Sequence, residues 1–106
     1  MDLDHRTSDL QSLLLTQAAV DALKRTPELV NRALETLAHW DRVAPPASRP
    51  LRDEWREILL SGALESALAL TDHGQQLRQA SPLARVLAPA RRLAIIRTCK
   101  GRNSNI

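Results

Sequence analysis

The sequence predicts an all-α fold, a compact single-domain bundle of five to seven helices, on three observations. Leu and Ala supply 19 and 15 of the 106 residues, against no Phe, no Tyr and only two Trp, Trp40 and Trp55. Leu and Ala lead the helix propensity scale, and strands favour the aromatic and β-branched residues that are scarce here. Apolar residues recur at three- and four-residue intervals, the period of a helix with one buried face. Capping residues followed by proline or glutamine punctuate the chain where helices should open. A chain of this length forms one domain and can bury about two thirds of its unfolded surface.

The first helix is expected to open after Thr7 or Ser8, with Asp9 in its first turn. Leu10, Leu13, Leu14, Leu15, Ala18, Ala19, Ala22 and Leu23 cover more than one face, which predicts a helix lying between neighbours. Lys24 and Arg25 suit its C-terminal end. Thr26-Pro27-Glu28 restarts the chain, and the second helix runs to about Val43. Leu29, Val30, Ala33, Leu34, Leu37 and Trp40 form its stripe, with Arg32, Glu35 and Asp41 off it.

Residues 44–50 read as a proline-rich inter-helix loop, because three prolines remove backbone donors and favour an extended path. A third helix spans about Leu51 to Leu60, with Leu51, Trp55, Ile58 and Leu59 as its stripe, until Ser61-Gly62 breaks the pattern. A fourth covers about 63–71 and buries Leu64, Ala67 and Leu68. Asp72 and Gln75 have capping-box spacing and predict a short fifth helix. Ser81-Pro82 opens one or two further turns, and Ala88-Pro89 starts a last helix to about Thr98, stopped at Gly101. Residues 101–106 read as a frayed tail. The expected core is Leu34, Leu37, Trp40, Trp55, Ile58, Leu59, Leu64, Leu68, Leu87 and Leu93.

No motif predicts catalysis, a metal or a cofactor. His5, His39 and His73 lie thirty-four residues apart in turn, without a second ligand type at metal spacing. Cys99 is the only cysteine, which excludes an internal disulfide and a cysteine-rich zinc site, and it reads as a buried thiol. Gly62, Gly74 and Gly101 do not cluster into a phosphate-cradling loop, and no serine sits in a GxSxG elbow. The lack of Phe and Tyr argues against modules that stack RNA bases.

Charge is divided unevenly. Residues 1–72 hold all 12 acids against 8 basic residues, whereas residues 73–106 hold 7 basic residues and no acid. One candidate binding surface is therefore the acid-bearing part of helices two and three, Glu35, Asp41, Asp53, Glu54, Glu57 and, beyond the glycine, Glu65. Acids so placed can occupy a basic substrate groove on a partner and speed association. The other candidate is the basic C-terminal segment with Arg78, Arg85, Arg91, Arg92, Arg97 and Arg102, of which Arg85, Arg91, Arg92 and Arg97 could neutralise DNA phosphates.

The stretch Leu77-Arg78-Gln79-Ala80-Ser81-Pro82, followed by Val86-Leu87-Ala88-Pro89 and the helix from Arg92 to Arg97, resembles the C-terminal motif of a family of short, all-helical bacterial proteins, antitoxin-like or uncharacterised. Leu83 stands where that family usually has an aromatic residue, Arg85 where it has a small one, and Leu93 where a Trp is common. The resemblance implies an all-helical fold and an antitoxin-like role. The expected function is that of an immunity or antitoxin protein, which binds a cognate toxin, expected to be a nuclease, and occludes its active site; the role is drawn by analogy. The alternative is a small DNA-binding regulator. The acidic N-terminus and the short apolar runs predict no membrane partner, and a cytoplasmic location is expected.

Overall fold

Helix formers with few β-branched residues dominate the chain, and in a computed structural model it folds into five α-helices and three short 3-10 helices, with no strand among the described residues. The structure describes the backbone of residues 2–104 and the side chains of residues 9–99. The α-helices are α1 (Asp2–Arg25), α2 (Val30–Val43), α3 (Arg49–Ser61), α4 (Asp72–Gln79) and α5 (Pro89–Ser104). The 3-10 helices are Pro27–Leu29, Pro46–Ser48 and Leu64–Leu68.

The apolar stripes dictate the packing. Ala19, Val20 and Leu23 of α1 are buried in one core with Ala33 and Leu37 of α2 and Trp55, Ile58 and Leu59 of α3. Leu64, Ala67, Leu77, Leu83, Val86 and Leu87 complete it from the second half of the chain. The Leu64–Leu68 helix and α4 each pack against both α1 and α3, so they form the middle of the bundle. α2 lies on α3, and α5 lies along α1. The two-sided apolar surface of α1 matches this position, with α5 and the bundle interior as its neighbours.

Trp55 is wholly buried, and its indole N–H donates to the Leu77 carbonyl at 2.8 Å. Leu77 lies in the last turn of α4, where carbonyls lack full helical pairing, so one side chain supplies both volume and a hydrogen bond. The turn into α4 is equally tight. Thr71 is extended and its hydroxyl accepts from the Gly74 N–H at 3.0 Å. A β-carbon on Gly74 would fall 2.1 Å from the Ala69 carbonyl oxygen, so only glycine fits. Gly62 closes α3 at φ +80, the left-handed conformation glycine adopts freely.

Several expectations change. α1 begins at Asp2, ahead of Thr7 and Ser8. Thr26 makes no side-chain cap, and Pro27 instead starts a 3-10 turn. The loop at 44–50 is narrower than expected, because Pro46 and Pro50 occupy first-turn positions whose N–H groups need no partner. The fourth helix is a five-residue 3-10 helix, and the cap of α4 is Thr71 rather than Asp72. Ser81-Pro82 opens a turn closed by the Val86 N–H to the Leu83 carbonyl, not a helix. α5 runs past Gly101 to Ser104, and residues 105–106 of the expected tail lie outside the described residues. In the core, Leu34, Trp40 and Leu68 are half-buried against the buried cluster. Leu93 is not core but 46% exposed, because its helical register turns it away from the face carrying Ile95 and buried Cys99.

Trp55→Ala should lower stability by about 3–5 kcal/mol in chemical denaturation, and Trp40→Ala by clearly less, since only the first empties a sealed site. Gly74→Ala should cost about 1–3 kcal/mol through the backbone clash. Denaturation midpoints for the three variants test both statements, and equal losses for Trp55 and Trp40 would place the core elsewhere.

Candidate functional site

Five of the six acids singled out from the sequence lie within ion-pair distance of the protein's own basic side chains. Asp41 is gripped from both sides. Arg52 Nε donates to its Oδ1 at 2.9 Å and Arg56 Nη2 to its Oδ2 at 2.6 Å. Arg56 also donates to Asp53 at 2.9 Å, and Arg49 lies 3.7 Å from the same carboxylate. Glu54 holds His73 Nε2 at 2.6 Å, Glu65 pairs with Lys24 of α1, and Glu35 lies 3.7 Å from Arg85. Glu57 is exposed and makes no ion pair among the described residues. Helices two and three therefore present a mixed-charge lattice rather than a free acidic face.

These pairs shift the carboxylates in the direction their geometry requires. The Arg52 hydrogen bond, helped by the charge of Arg56, holds the Asp41 carboxyl below its ordinary value of 3.8. The Lys24 hydrogen bond likewise lowers Glu65 and, reciprocally, raises Lys24. The pairs are exposed on at least one side, where such contacts contribute little each.

Sequence reasoning missed two buried arginines. Arg52 donates to the Pro45 carbonyl at 3.2 Å and to the Ser48 hydroxyl as well as to Asp41, so it ties the α2–α3 connector together. Arg78 donates through Nη1 to the Ala67 and Ala69 carbonyls at 3.1 and 2.7 Å, which removes it from the basic surface. A signal was present. Arg52 precedes Trp55 by three and Leu59 by seven, and Arg78 follows Gly74 by four, positions that fall on the buried faces.

The remaining candidates, Arg85, Arg91, Arg92 and Arg97, are all exposed but do not share one face. At about 100° per residue Arg91, Arg92 and Arg97 radiate around α5, Arg85 lies in the turn before it, and the Arg102 side chain lies outside the described residues. Arg91 borders a depression against α1 with Leu14 and Asp21, while Arg92 lies on another side. Arg92 joins Arg85 of the preceding turn and Arg32 of α2 around a groove of about 560 Å³. Leu87, Leu93 and Ile96 line the same groove, which explains the exposure of Leu93. Arg32 is the member the sequence did not indicate, since α2 and α5 come to border one groove only through the fold.

Among the described residues no three of His, Cys, Asp and Glu gather as a metal site, and His39 is exposed. The His5 side chain lies outside the described residues. No helix is long and apolar enough to cross a membrane.

The pH dependence follows from Asp41 and Glu65. Folding favours their ionised forms, so this stabilisation is complete above the ordinary carboxylate values and is lost as pH falls through the lower folded ones. Chemical denaturation between about pH 6 and pH 2 should show the wild type losing stability in acid more steeply than Asp41→Asn. Parallel curves would mean that the pair with Arg52 does not persist in solution.

No family model matches this chain, and no curated protein or solved structure is found similar to it.

Proposed function

We propose that this chain is a non-catalytic, toxin-neutralising protein of the immunity or antitoxin type, and that it holds its partner in the groove between α2, the 83–87 turn and α5. The observation that carries the docking surface is the placement of Arg32, Arg85 and Arg92 around exposed Leu93 and half-buried Ile96. Apolar side chains ringed by one sign of charge suit an amphipathic helix with an apolar stripe flanked by Asp and Glu. Only Glu35, 3.7 Å from Arg85, offsets this charge among the ion pairs described, and that contact is exposed and long. The toxin as partner rests on the C-terminal motif's resemblance, from Leu77 to Arg97. In this arrangement the partner offers an acidic element, not the basic groove of a nuclease, because the acids of α2 and α3 are already engaged.

The DNA-binding alternative is less well supported. Arg91, Arg92 and Arg97 point to different sides of α5, whereas phosphate tracking needs a continuous basic face.

Titration with an acidic amphipathic helical peptide, its lysine-substituted counterpart and a short DNA duplex tests the docking surface. The acidic peptide should bind, and reversing Arg32, Arg85 and Arg92 to Glu should weaken it by about tenfold or more. Reversing Asp53, Glu54 and Glu57 to Lys should change it little. Preferential binding of duplex with a steep salt dependence, lost in Arg91→Ala/Arg97→Ala, would replace this reading with the regulator. The toxin itself is tested by co-expression with a growth-arresting product of a neighbouring gene. The wild type should restore growth and the arginine reversal should not.

A further inference from the structure

The basic groove has an acid of the protein's own at its edge. Glu35 follows Arg32 by one turn on α2, and its Oε2 lies 3.7 Å from Nη1 of Arg85 in the preceding turn of α5. Both side chains are open to solvent, 66% and 61% exposed. The distance is too long for a hydrogen bond, so charge alone joins them. Asp41 differs, for Arg52 and Arg56 donate to it at 2.9 and 2.6 Å. The elements that carry the pair are anchored without it. Ala33 and Leu37 are buried on one side, and Leu83, Val86 and Leu87 on the other. Glu35 and Arg85 can therefore part by side-chain rotation alone.

We propose that Glu35 is an internal competitor for the docking partner, occupying at Arg85 the place that a carboxylate of the partner helix takes. The proposal rests on the docking reading above and adds a residue that sets how acidic a partner must be. In the free protein Glu35 lowers the charge around the groove from three positive to two, which eases the repulsion among Arg32, Arg85 and Arg92. Once a partner brings its own carboxylates, Glu35 becomes a like charge among them. The same side chain then opposes the complex twice, by holding Arg85 and by repelling the incoming acid. A weakly acidic helix gains too little to displace it, and a strongly acidic one displaces it and takes Arg85. Discrimination of this kind comes from a repulsive element beside the attractive ones.

The test titrates the acidic amphipathic helical peptide into the intact wild type, Glu35→Gln, Arg85→Gln, the double variant and Glu57→Gln. Both Glu35 and Arg85 are exposed, so the variants should fold, and their thermal midpoints check this. At low salt Glu35→Gln should tighten binding about threefold, the scale of one exposed charge contact. The gain should shrink at about 0.5 M salt. It should be smaller when Arg85 is already Gln, because there is then no guanidinium to compete for. Glu57→Gln removes the same charge from α3, outside the groove, and should change nothing. Equal binding by wild type and Glu35→Gln would overturn the proposal and leave the docking surface standing. Weaker binding by Glu35→Gln would also overturn it, by showing that Glu35 holds Arg85 in place for the partner. An undiminished gain in the Arg85→Gln background would reduce Glu35 to a background charge and overturn the competition. If the peptide binds none of the variants, the docking reading falls and the proposal falls with it.

Discussion

The fold turns on Trp55. With no Phe or Tyr available, this is the one wholly buried aromatic side chain, and it fills the middle of a core otherwise made of Leu, Ala, Val and Ile. Its indole N–H must find an acceptor once it leaves water, and it finds the carbonyl of Leu77 near the end of α4. That bond fixes how far α4 stands from α3. Beside it the Ala69 carbonyl lies against Gly74, where no β-carbon fits. α5 takes its position from α1, along which it lies.

Arg78 shows what the α3–α4 corner costs. Leu77 and Arg78 are consecutive, so placing the Leu77 carbonyl under the indole carries the next side chain inward as well. Its charge is met by two carbonyls of the segment between α3 and α4 and, loosely, by Asp9 of α1. A buried charge left without such partners would be strongly destabilising. The carbonyls answer one end of the guanidinium, and its Nε stays buried without a hydrogen-bond partner. The same arginine thus joins α1 to the middle of the bundle.

The outer surface follows a different rule. Between α2 and α3 and along α3 opposite charges lie within ion-pair distance of each other, so they neutralise locally and project little field. Near α5 the acids run out, and Arg32, Arg85 and Arg92 face a groove with apolar walls. The uneven charge along the chain therefore becomes an uneven charge in space, but only after most acids of α2 and α3 have paired with basic neighbours.

The sequence by itself determined the helical class, the buried stripes of α2 and α3, the break at Gly62 and the prolines that start helices. These depend on neighbours three or four residues away and on backbone geometry that a residue carries with it. Arg52 and Arg78 were legible in part, since their spacing put them on buried faces, but charge alone suggests solvent. Only the tertiary structure decided which side of α5 is covered, because the helix is apolar or small on several sides, and Leu93 lost to Ile95 and Cys99. It also decided which acids are engaged and that Arg32 of α2 and Arg92 of α5 border one groove. Residues 32 and 92 are sixty apart, and no local period relates them. What brings them together is the packing of α2 on α3 and of α5 along α1.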